Sequence, residues 1–257
     1  MVDKRKWWKN IWIVPITILI YWTDLLPNNV QETVSAVLLD KFGGRISPGV
    51  DNADNIFLLD IQQLYFLIVF NLIFANQIVD HFRYSCIYVF SRIKNRKKWF
   101  LRCSLELWVI ASLYSFLYVG TLFFMGNLSA KFYITTNDLW IAFVLWFKVN
   151  VICYITTLLL NIISIRLGSV LAFIIIFGGI ALNTYISPHL MNTAIICKHP
   201  TLAIFDPIHG IYEGMLINGH NVSLFIGYNT LLLILVTIFG IYFVNKMDIA
   251  LIHMETK

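Results

Sequence analysis

The sequence predicts an all-α, polytopic membrane protein with six transmembrane helices. Of its 257 residues, 59% are hydrophobic and 13% are charged, whereas soluble domains carry about 25% charged residues. The mean hydropathy is +0.75. Aromatic residues make up 16% of the chain, which is typical of lipid-facing helices and of the aromatic belts at membrane interfaces. A globule in water would need more charged surface than this composition supplies.

Six apolar segments approach the roughly 20 residues that a helix needs to cross a hydrocarbon core of about 30 Å. They cover about 11–26, 56–79, 105–125, 139–163, 170–186 and 224–244, so that residues 1–257 form a single transmembrane domain. The second segment is interrupted by polar residues, namely Asp60, Gln62, Gln63, Asn71 and Asn76. A tight turn, Ile165 to Ser169, joins the fourth segment to the fifth. No small-residue cleavage site follows the first segment, so we expect it to remain as a span.

The distribution of basic residues predicts the orientation, because Lys and Arg are retained on the cytoplasmic side. With both termini inside, fourteen basic residues fall in cytoplasmic segments. Only Lys41, Arg45, Lys131 and Lys198 fall outside, and Lys148 lies within the fourth span. This topology also accounts for the net charge of +5 without a nucleic acid as partner.

The predicted cytoplasmic connection between the second and third spans, residues 81–104, is both basic and apolar. Tyr84, Ile87, Tyr88 and Ser91 share one helical stripe, with Phe90 and Ile93 beside it, which predicts an amphipathic helix at the interface. One interpretation is an anchor that binds anionic lipid through Arg96, Lys97 and Lys98. The other is a docking element for a cytoplasmic protein.

Two predicted outer segments also depart from a plain bundle. Residues 30–39 carry apolar side chains at helical spacing, which predicts an external amphipathic helix. Residues 188–222 are apolar but broken by Pro and Gly, and this pattern favours short re-entrant helices over a span. The segment holds His189, His199, His209 and His220, whose intervals match no standard metal-ligand spacing. We therefore expect no metal site there.

Ionisable side chains within spans need partners, because each costs about 2.5 to 3.5 kcal/mol at a helix centre on insertion scales. Asp60 and Lys148 both fall in the outer halves of their predicted spans, so a structural ion pair would explain them. The alternative is a substrate pathway, which they would line together with Gln62, Gln63, Asn71 and Asn150. Both interpretations stay open. Arg102 and Glu106, four residues apart, predict a local ion pair.

The sequence contains no phosphate-binding GxxxxGK[ST] loop and no GxSxG elbow. Its four glutamates are isolated, and its four cysteines fall singly, so neither a metalloprotease site nor a disulfide framework is predicted. We therefore expect a chain that is not an enzyme and binds no cofactor of its own. Any energy source must lie in another protein.

The layout resembles that of the ABC-type-2 transporter permeases, the membrane subunits of bacterial ABC exporters. The features that carry the resemblance are a basic amphipathic N-terminus, six spans, the long connection after the second span and the broken segment before the sixth. The N-terminus runs from Lys4 to Lys9 and includes Trp7 and Trp8. The resemblance extends over the whole chain, and it lies in this architecture and not in one motif.

The resemblance implies a permease in the bacterial plasma membrane that works as a dimer of two copies, alike or different. Two separate ATPase subunits would bind ATP and Mg and dock on a coupling helix within the 81–104 connection. The residues expected to contact the ATPase are Tyr84, Ile87, Tyr88, Phe90, Arg92, Ile93 and Lys94. The short turn Ile165 to Ser169 would be a minor contact. The substrate would be amphipathic, a peptide or a lipid, since small permeases of this kind often serve export of, or immunity to, antimicrobial peptides.

The competing hypothesis is a membrane-embedded immunity or binding protein without transport activity. In that protein the outer segments would capture a toxin, and the basic connection would be only an anchor. An ATPase that co-purifies with the chain would favour the permease.

Overall fold

The computed structural model describes residues 32–33, 64–80, 96–128, 132–133, 138–191 and 222–246. Its helices are α1 (Tyr65–Phe74), α2 (Arg96–Leu128), α3 (Asp138–Leu167), α4 (Ser169–Met191) and α5 (Val222–Lys246). After α1 comes a turn at residues 75–76 and then a short helical segment at 77–80. Two strands of two residues each, β1 (Glu32–Thr33) and β2 (Phe132–Tyr133), complete the described part.

Four of these helices, α2 to α5, are long enough and apolar enough to cross a membrane. The chain is thus a helical membrane protein, and the predicted third to sixth spans coincide with these four helices. The predicted first span, 11–26, and the basic N-terminus lie outside the described residues. Of the predicted second span, 56–79, residues 64–79 are described, and they belong to α1 and its continuation to residue 80.

Helix α3 is the centre of the bundle. The buried share of the most apolar stretch is 67% in α3, 44% in α2 and 17% in each of α4 and α5. The other four helices all pack against it. A helix that is surrounded on all sides can hold polar side chains away from lipid, and α3 carries half of the buried polar or charged residues in the described part of the chain.

Aromatic rings fill the contact between α1 and α2. The ring centroids of Phe70 and Tyr114 lie 4.8 Å apart, and those of Phe66 and Tyr118 lie 5.5 Å apart. The Tyr114 hydroxyl donates to the Phe66 carbonyl oxygen at 2.8 Å. Tyr can be buried at this depth because its apolar ring packs in the core while its hydroxyl finds a backbone acceptor.

Gly240 of α5 lies directly against side chains of α2 and α3. A Cβ at this position would lie 2.8 Å from Phe100 Cε1 and 3.0 Å from Ile162 Cδ1, and closer still to Phe100 Cζ. Small residues at helix contacts let the backbones come close together, and such packing drives helix association in lipid. Gly240 therefore sets how tightly α5 docks.

A single glycine separates α3 from α4. Gly168 has a φ of +86°, a left-handed conformation that glycine adopts without the steric cost of a Cβ. Its amide donates to the Ser164 carbonyl oxygen at 3.0 Å. The tight turn predicted at Ile165 to Ser169 is thus present, and α4 packs against α3 directly after it.

The outward faces of α4 and α5 carry large apolar side chains on the surface. Exposed examples are Val170, Leu171, Ile174, Ile175, Leu182, Leu231, Ile234, Leu235, Ile238 and Phe239. A soluble monomer rarely exposes contiguous apolar surface of this extent. Contact with lipid explains it, since hydrocarbon tails are as apolar as these side chains.

The described ends of several elements differ from the predicted ones. Helix α2 begins at Arg96 and not at about 105, so residues 96–104 of the predicted connection are its first turns. Helix α4 continues past Pro188 to Met191, into the segment predicted to be broken. Residues 192–221 of that segment, and residues 81–95 of the connection, lie outside the described residues.

The short sheet contradicts part of one prediction. Glu32 and Thr33 pair in parallel with Phe132 and Tyr133, so the external helix predicted over residues 30–39 is wrong at these two positions. Pairing with β2 supplies hydrogen bonds that helical spacing of apolar residues does not reveal. The sheet links the segment after the predicted first span to the connection between α2 and α3.

Candidate functional site

A line of polar side chains runs along one face of α3, and we name it the polar seam. Its members are Asn150, Tyr154, Thr157, Asn161 and Ser164. They follow each other at intervals of four, three, four and three residues, the spacing that places side chains on one helix face. All five are almost completely buried. In a membrane such groups must find partners inside the protein.

Asn71 of α1 uses all of its hydrogen-bonding groups against α3 and its own helix. The Thr157 hydroxyl donates to Asn71 Oδ1 at 2.9 Å, sharing its proton with the Cys153 carbonyl oxygen at 2.7 Å. Asn71 Nδ2 donates to Thr156 Oγ1 at 3.2 Å and to the Leu67 carbonyl oxygen at 2.9 Å. The amide thus holds α1 against the middle of α3.

Asn161 holds the continuation of α1 in a different way. Its Oδ1 accepts from the backbone amides of Ile78 at 2.9 Å and of Val79 at 3.3 Å. Its Nδ2 donates to the Thr157 carbonyl oxygen at 2.8 Å. In an unbroken helix the amides of Ile78 and Val79 would bond the carbonyls of residues 74 and 75. A side chain of α3 therefore takes the place of two backbone acceptors.

Tyr154 connects three helices through its hydroxyl. Thr237 of α5 donates its own proton to the Leu233 carbonyl oxygen at 2.8 Å, which leaves Thr237 Oγ1 to accept from Tyr154 at 3.3 Å. The Tyr154 hydroxyl in turn accepts from Ser104 of α2. The Trp108 ring packs edge-on against the Tyr154 ring, with centroids 5.1 Å apart at 84°.

Within the part of the chain that the structure describes, several buried polar atoms have no hydrogen-bond partner. Two belong to the polar seam, Asn150 Oδ1 and Ser164 Oγ, and the others outside it include Gln77 Oε1 of the segment after α1 and Asn229 Oδ1 of α5. An unsatisfied buried acceptor costs about 1–3 kcal/mol. Water or a polar ligand that reached these atoms would remove that cost.

Lys148 is a buried basic residue in the first half of α3, with only 3% of its side chain exposed. It lies about 15 Å along the helix axis from Asp138, at a rise of about 1.5 Å per residue. Lys148 and Asn150 are two residues apart, which turns them roughly 200° from each other around the helix. They therefore belong to nearly opposite faces of α3.

These positions divide the predicted pathway residues into groups. The structure brings Asn71 onto the polar seam, where Asn150 also lies, while Lys148 is on the other side of α3. Asp60, Gln62 and Gln63 lie outside the described residues. So do all seven predicted coupling residues, Tyr84, Ile87, Tyr88, Phe90, Arg92, Ile93 and Lys94.

Sequence reasoning missed most of the seam, namely Tyr154, Thr157, Asn161 and Ser164. The signal was present, because these residues continue from Asn150 at helical spacing within an apolar run. A single residue of any of these types is common in a membrane helix, so none of them indicates a functional site by itself. The interval of four and three residues is what sets them apart.

No family model, curated protein or solved structure matches this chain. The resemblance to ABC-type-2 permeases therefore rests on the layout of the sequence. The role of the polar seam is therefore inferred from the chemistry of its own side chains.

Other predicted features have a place in the described residues. Arg102 Nε lies 3.4 Å from Glu106 Oε1 on the surface of α2, which confirms the predicted local ion pair. Cys103 and Cys153 are buried free thiols. Within the described ranges, no group of three or more His, Cys, Asp or Glu side chains is placed to hold a metal ion.

Proposed function

We propose that this chain is the permease subunit of an ABC exporter, powered by a separate ATPase and moving an amphipathic peptide or lipid. The observation that carries the proposal is the buried polar content of α3. Asn150 presents an unbonded Oδ1 in the middle of this helix, and Lys148 is buried one turn or less away. Ionisable and polar groups at membrane depth are costly and mark pathways in transport proteins.

The arrangement of the helices supports the same proposal. A transport pathway has to be screened from lipid, and α3 is the most buried of the long helices. Helices α4 and α5 cover it while exposing apolar faces to the surroundings. In the proposed exporter, α3 borders a path that opens when the helices around it move against one another, a rigid-body change between discrete packings.

The energy source in the proposal is an ATPase dimer that binds ATP and Mg and docks on the connection from residue 81. The support for this step is the sequence pattern of that connection, in which an apolar stripe is bordered by basic residues. Helix α2 begins with three of these basic residues, Arg96, Lys97 and Lys98. A push on the connection would therefore be transmitted to a rigid helix. The proposal places both termini and this connection in the cytoplasm of a bacterial cell.

Purification from native membranes in a mild detergent tests the proposal. A tagged chain should bring down a protein that hydrolyses ATP in the presence of Mg. Placing a charge at Ile87, Phe90 or Ile93 should remove that activity from the purified complex, since it puts a charge in the apolar docking stripe. Asn95→Asp places a negative charge outside the apolar stripe and should leave the ATPase activity of the purified complex unchanged. A chain that recruits no ATPase contradicts the proposal.

A second candidate function is a binding or immunity protein without transport, and the bonds of Asn71 favour it. This amide was a candidate pathway residue, yet each of its polar atoms is engaged in packing α1 on α3. Such fixed bonds suit a static bundle. A toxin that binds the purified chain with equal affinity in the presence and absence of ATP and ATPase, and is never moved, would favour this candidate.

A further inference from the structure

The continuation of α1 contains a break that its own residues do not explain. Residues 75–76 form a turn between two helical stretches, although the surrounding sequence LIFANQIV holds neither Pro nor Gly. Kinks in helices arise at Pro, at Gly or Ser pairs, at bulges, or where a side chain inserts into the backbone ladder. The last of these causes is the one present here.

The inserted side chain is Asn161 of α3. The backbone remains helical on both sides, with Ala75 donating to the Asn71 carbonyl oxygen at 2.7 Å and Asp80 to that of Asn76 at 2.7 Å. Between them, the amides of Ile78 and Val79 are bonded to Asn161 Oδ1. The backbone ladder is therefore interrupted between these two bonds, from Asn76 to Val79, and Asn161 supplies the acceptor for the last two of these four amides.

The two sides of the break are attached to α3 by separate bonds. On the N-terminal side of the break, Asn71 is bonded to Thr156 and Thr157. On the C-terminal side of the break, the amides of Ile78 and Val79 are both bonded to Asn161. Gln77, at the start of residues 77–80, has an unbonded Oε1 although it is almost buried. Among the described residues, the side-chain hydrogen bonds from α3 to residues 77–80 all come from Asn161.

We propose that residues 75–76 are a hinge about which residues 77–80 move relative to α1, and that Asn161 is the latch that holds the conformation described here. When Asn161 releases the two amides, they can bond the carbonyls of residues 74 and 75, which restores the helical backbone bonds at these two positions. The exchange conserves the number of backbone amides that are bonded. The two conformations therefore differ in which acceptor the amides use, Asn161 Oδ1 in one and the backbone carbonyls in the other, and a ligand or partner that favours one conformation would shift the population.

The hinge also bears on energy coupling, and this step rests on the proposed function. Residue 80 is followed directly by the connection that is proposed to carry the ATPase. Movement at the hinge would change the angle between that connection and α1, while the bonds of Asn71 keep α1 on α3. Asn161 is a positioning residue in this scheme and touches no substrate.

Distances between spin labels test the hinge in the full chain reconstituted in lipid, with its four native cysteines replaced by alanine. Labels at Asp80 and Phe124 report on residues 77–80, and labels at Leu72 and Phe124 report on α1. Asn161→Ala should shift or broaden the first distance by several ångströms and leave the second unchanged. Thr157→Val is the matched control. It removes the seam bond to α1 on the N-terminal side of the break and should leave the distance between labels 80 and 124 unchanged.

Two outcomes overturn the proposal. If Asn161→Ala changes neither distance, the break is rigid, and if it changes both distances alike, Asn161 is a general packing residue. Should the variant fail to fold, hydrogen exchange of the native protein decides. The amides of Ile78 and Val79 should then exchange together and faster than those of residues 68–74, and exchange at the same rate would overturn the hinge. Neither readout needs an ATPase. If the hinge moves but the chain recruits no ATPase, only the proposed function is refuted. If the chain recruits an ATPase but residues 75–76 are rigid, only the hinge is refuted.

Discussion

The Thr157 hydroxyl on α3 donates to Asn71 Oδ1 on α1 across 2.9 Å, deep in the bundle. Both side chains are completely buried. Sequence alone presented Asn71 as one of several polar residues that could line a pathway. The bond shows instead that this amide joins two helices. The seam atoms that lack partners are therefore better candidates for a pathway than Asn71.

The Asn71 and Thr157 pair should show a measurable interaction energy. In a double-mutant cycle of Asn71→Ala and Thr157→Val, we expect a coupling of about 0.6 kcal/mol, with an upper bound of about 1.7 kcal/mol, as found for hydrogen bonds between membrane helices. Reversible unfolding of the purified chain in mixed micelles measures it. Additive effects of the two substitutions would mean that the bond contributes nothing.

The Tyr154 hydroxyl should stabilise the contact among α2, α3 and α5. Tyr154→Phe keeps the ring and its edge contact with Trp108 but removes the bonds to Ser104 and Thr237. We expect a loss of about 1 kcal/mol in the free energy of unfolding. Tyr242→Phe is the matched control, because Tyr242 is on the exposed side of α5. Equal effects of the two substitutions would contradict this role of Tyr154.

A side chain at Gly240 should push α5 away from the bundle. Gly240→Ala places a methyl group 2.8 Å from Phe100 Cε1, and such overpacking costs about 1–3 kcal/mol. Gly178→Ala and Gly179→Ala on α4 meet no atom within 4 Å and should be neutral or gain about 0.5–1 kcal/mol in helix propensity. Combining Gly240→Ala with Phe100→Leu should restore part of the lost stability. The same unfolding assay applies, and a neutral Gly240→Ala would contradict the close approach.

Lys148 and Asn150 should matter for transport more than for folding. Lys148→Met replaces the buried ammonium with an apolar side chain, and transport, corrected for the amount of folded protein, should fall by about tenfold or more, a change equivalent to about 1.4 kcal/mol. Asn150→Leu should act in the same direction. Thr157→Val, a seam residue engaged in packing, is the control and should retain transport when corrected for the amount of folded protein. Intact transport in Lys148→Met would remove this residue from the pathway.

The positions of α2 to α5 could be predicted because each is an apolar run long enough to span. The predicted 139–163 and 224–244 lie within Asp138–Leu167 and Val222–Lys246. Hydropathy missed the first turns of α2, since the charges of Arg96 to Arg102 are also typical of a cytoplasmic loop. Such residues can continue a helix beyond the hydrocarbon region at no cost in burial.

The break at residues 75–76 and the bonds of the seam could not be predicted in the same way. Both depend on the rotation of α3 about its axis, which brings Asn161 against Ile78 and Thr157 against Asn71. The partners are more than 80 residues apart in the chain, and no local pattern encodes their pairing. What the sequence does contain is the spacing of the seam, which predicts a shared face without naming its neighbours.

Transport by purified components tests the central claim most directly. The chain and the ATPase that co-purifies with it would be reconstituted in lipid vesicles with the ATPase side outward, and a fluorescent amphipathic peptide added outside. The account predicts that the peptide accumulates inside only with ATP and Mg, and that Asn150→Leu greatly reduces the accumulation. ATP hydrolysis that is the same with and without this chain, together with no movement of the peptide, would contradict it.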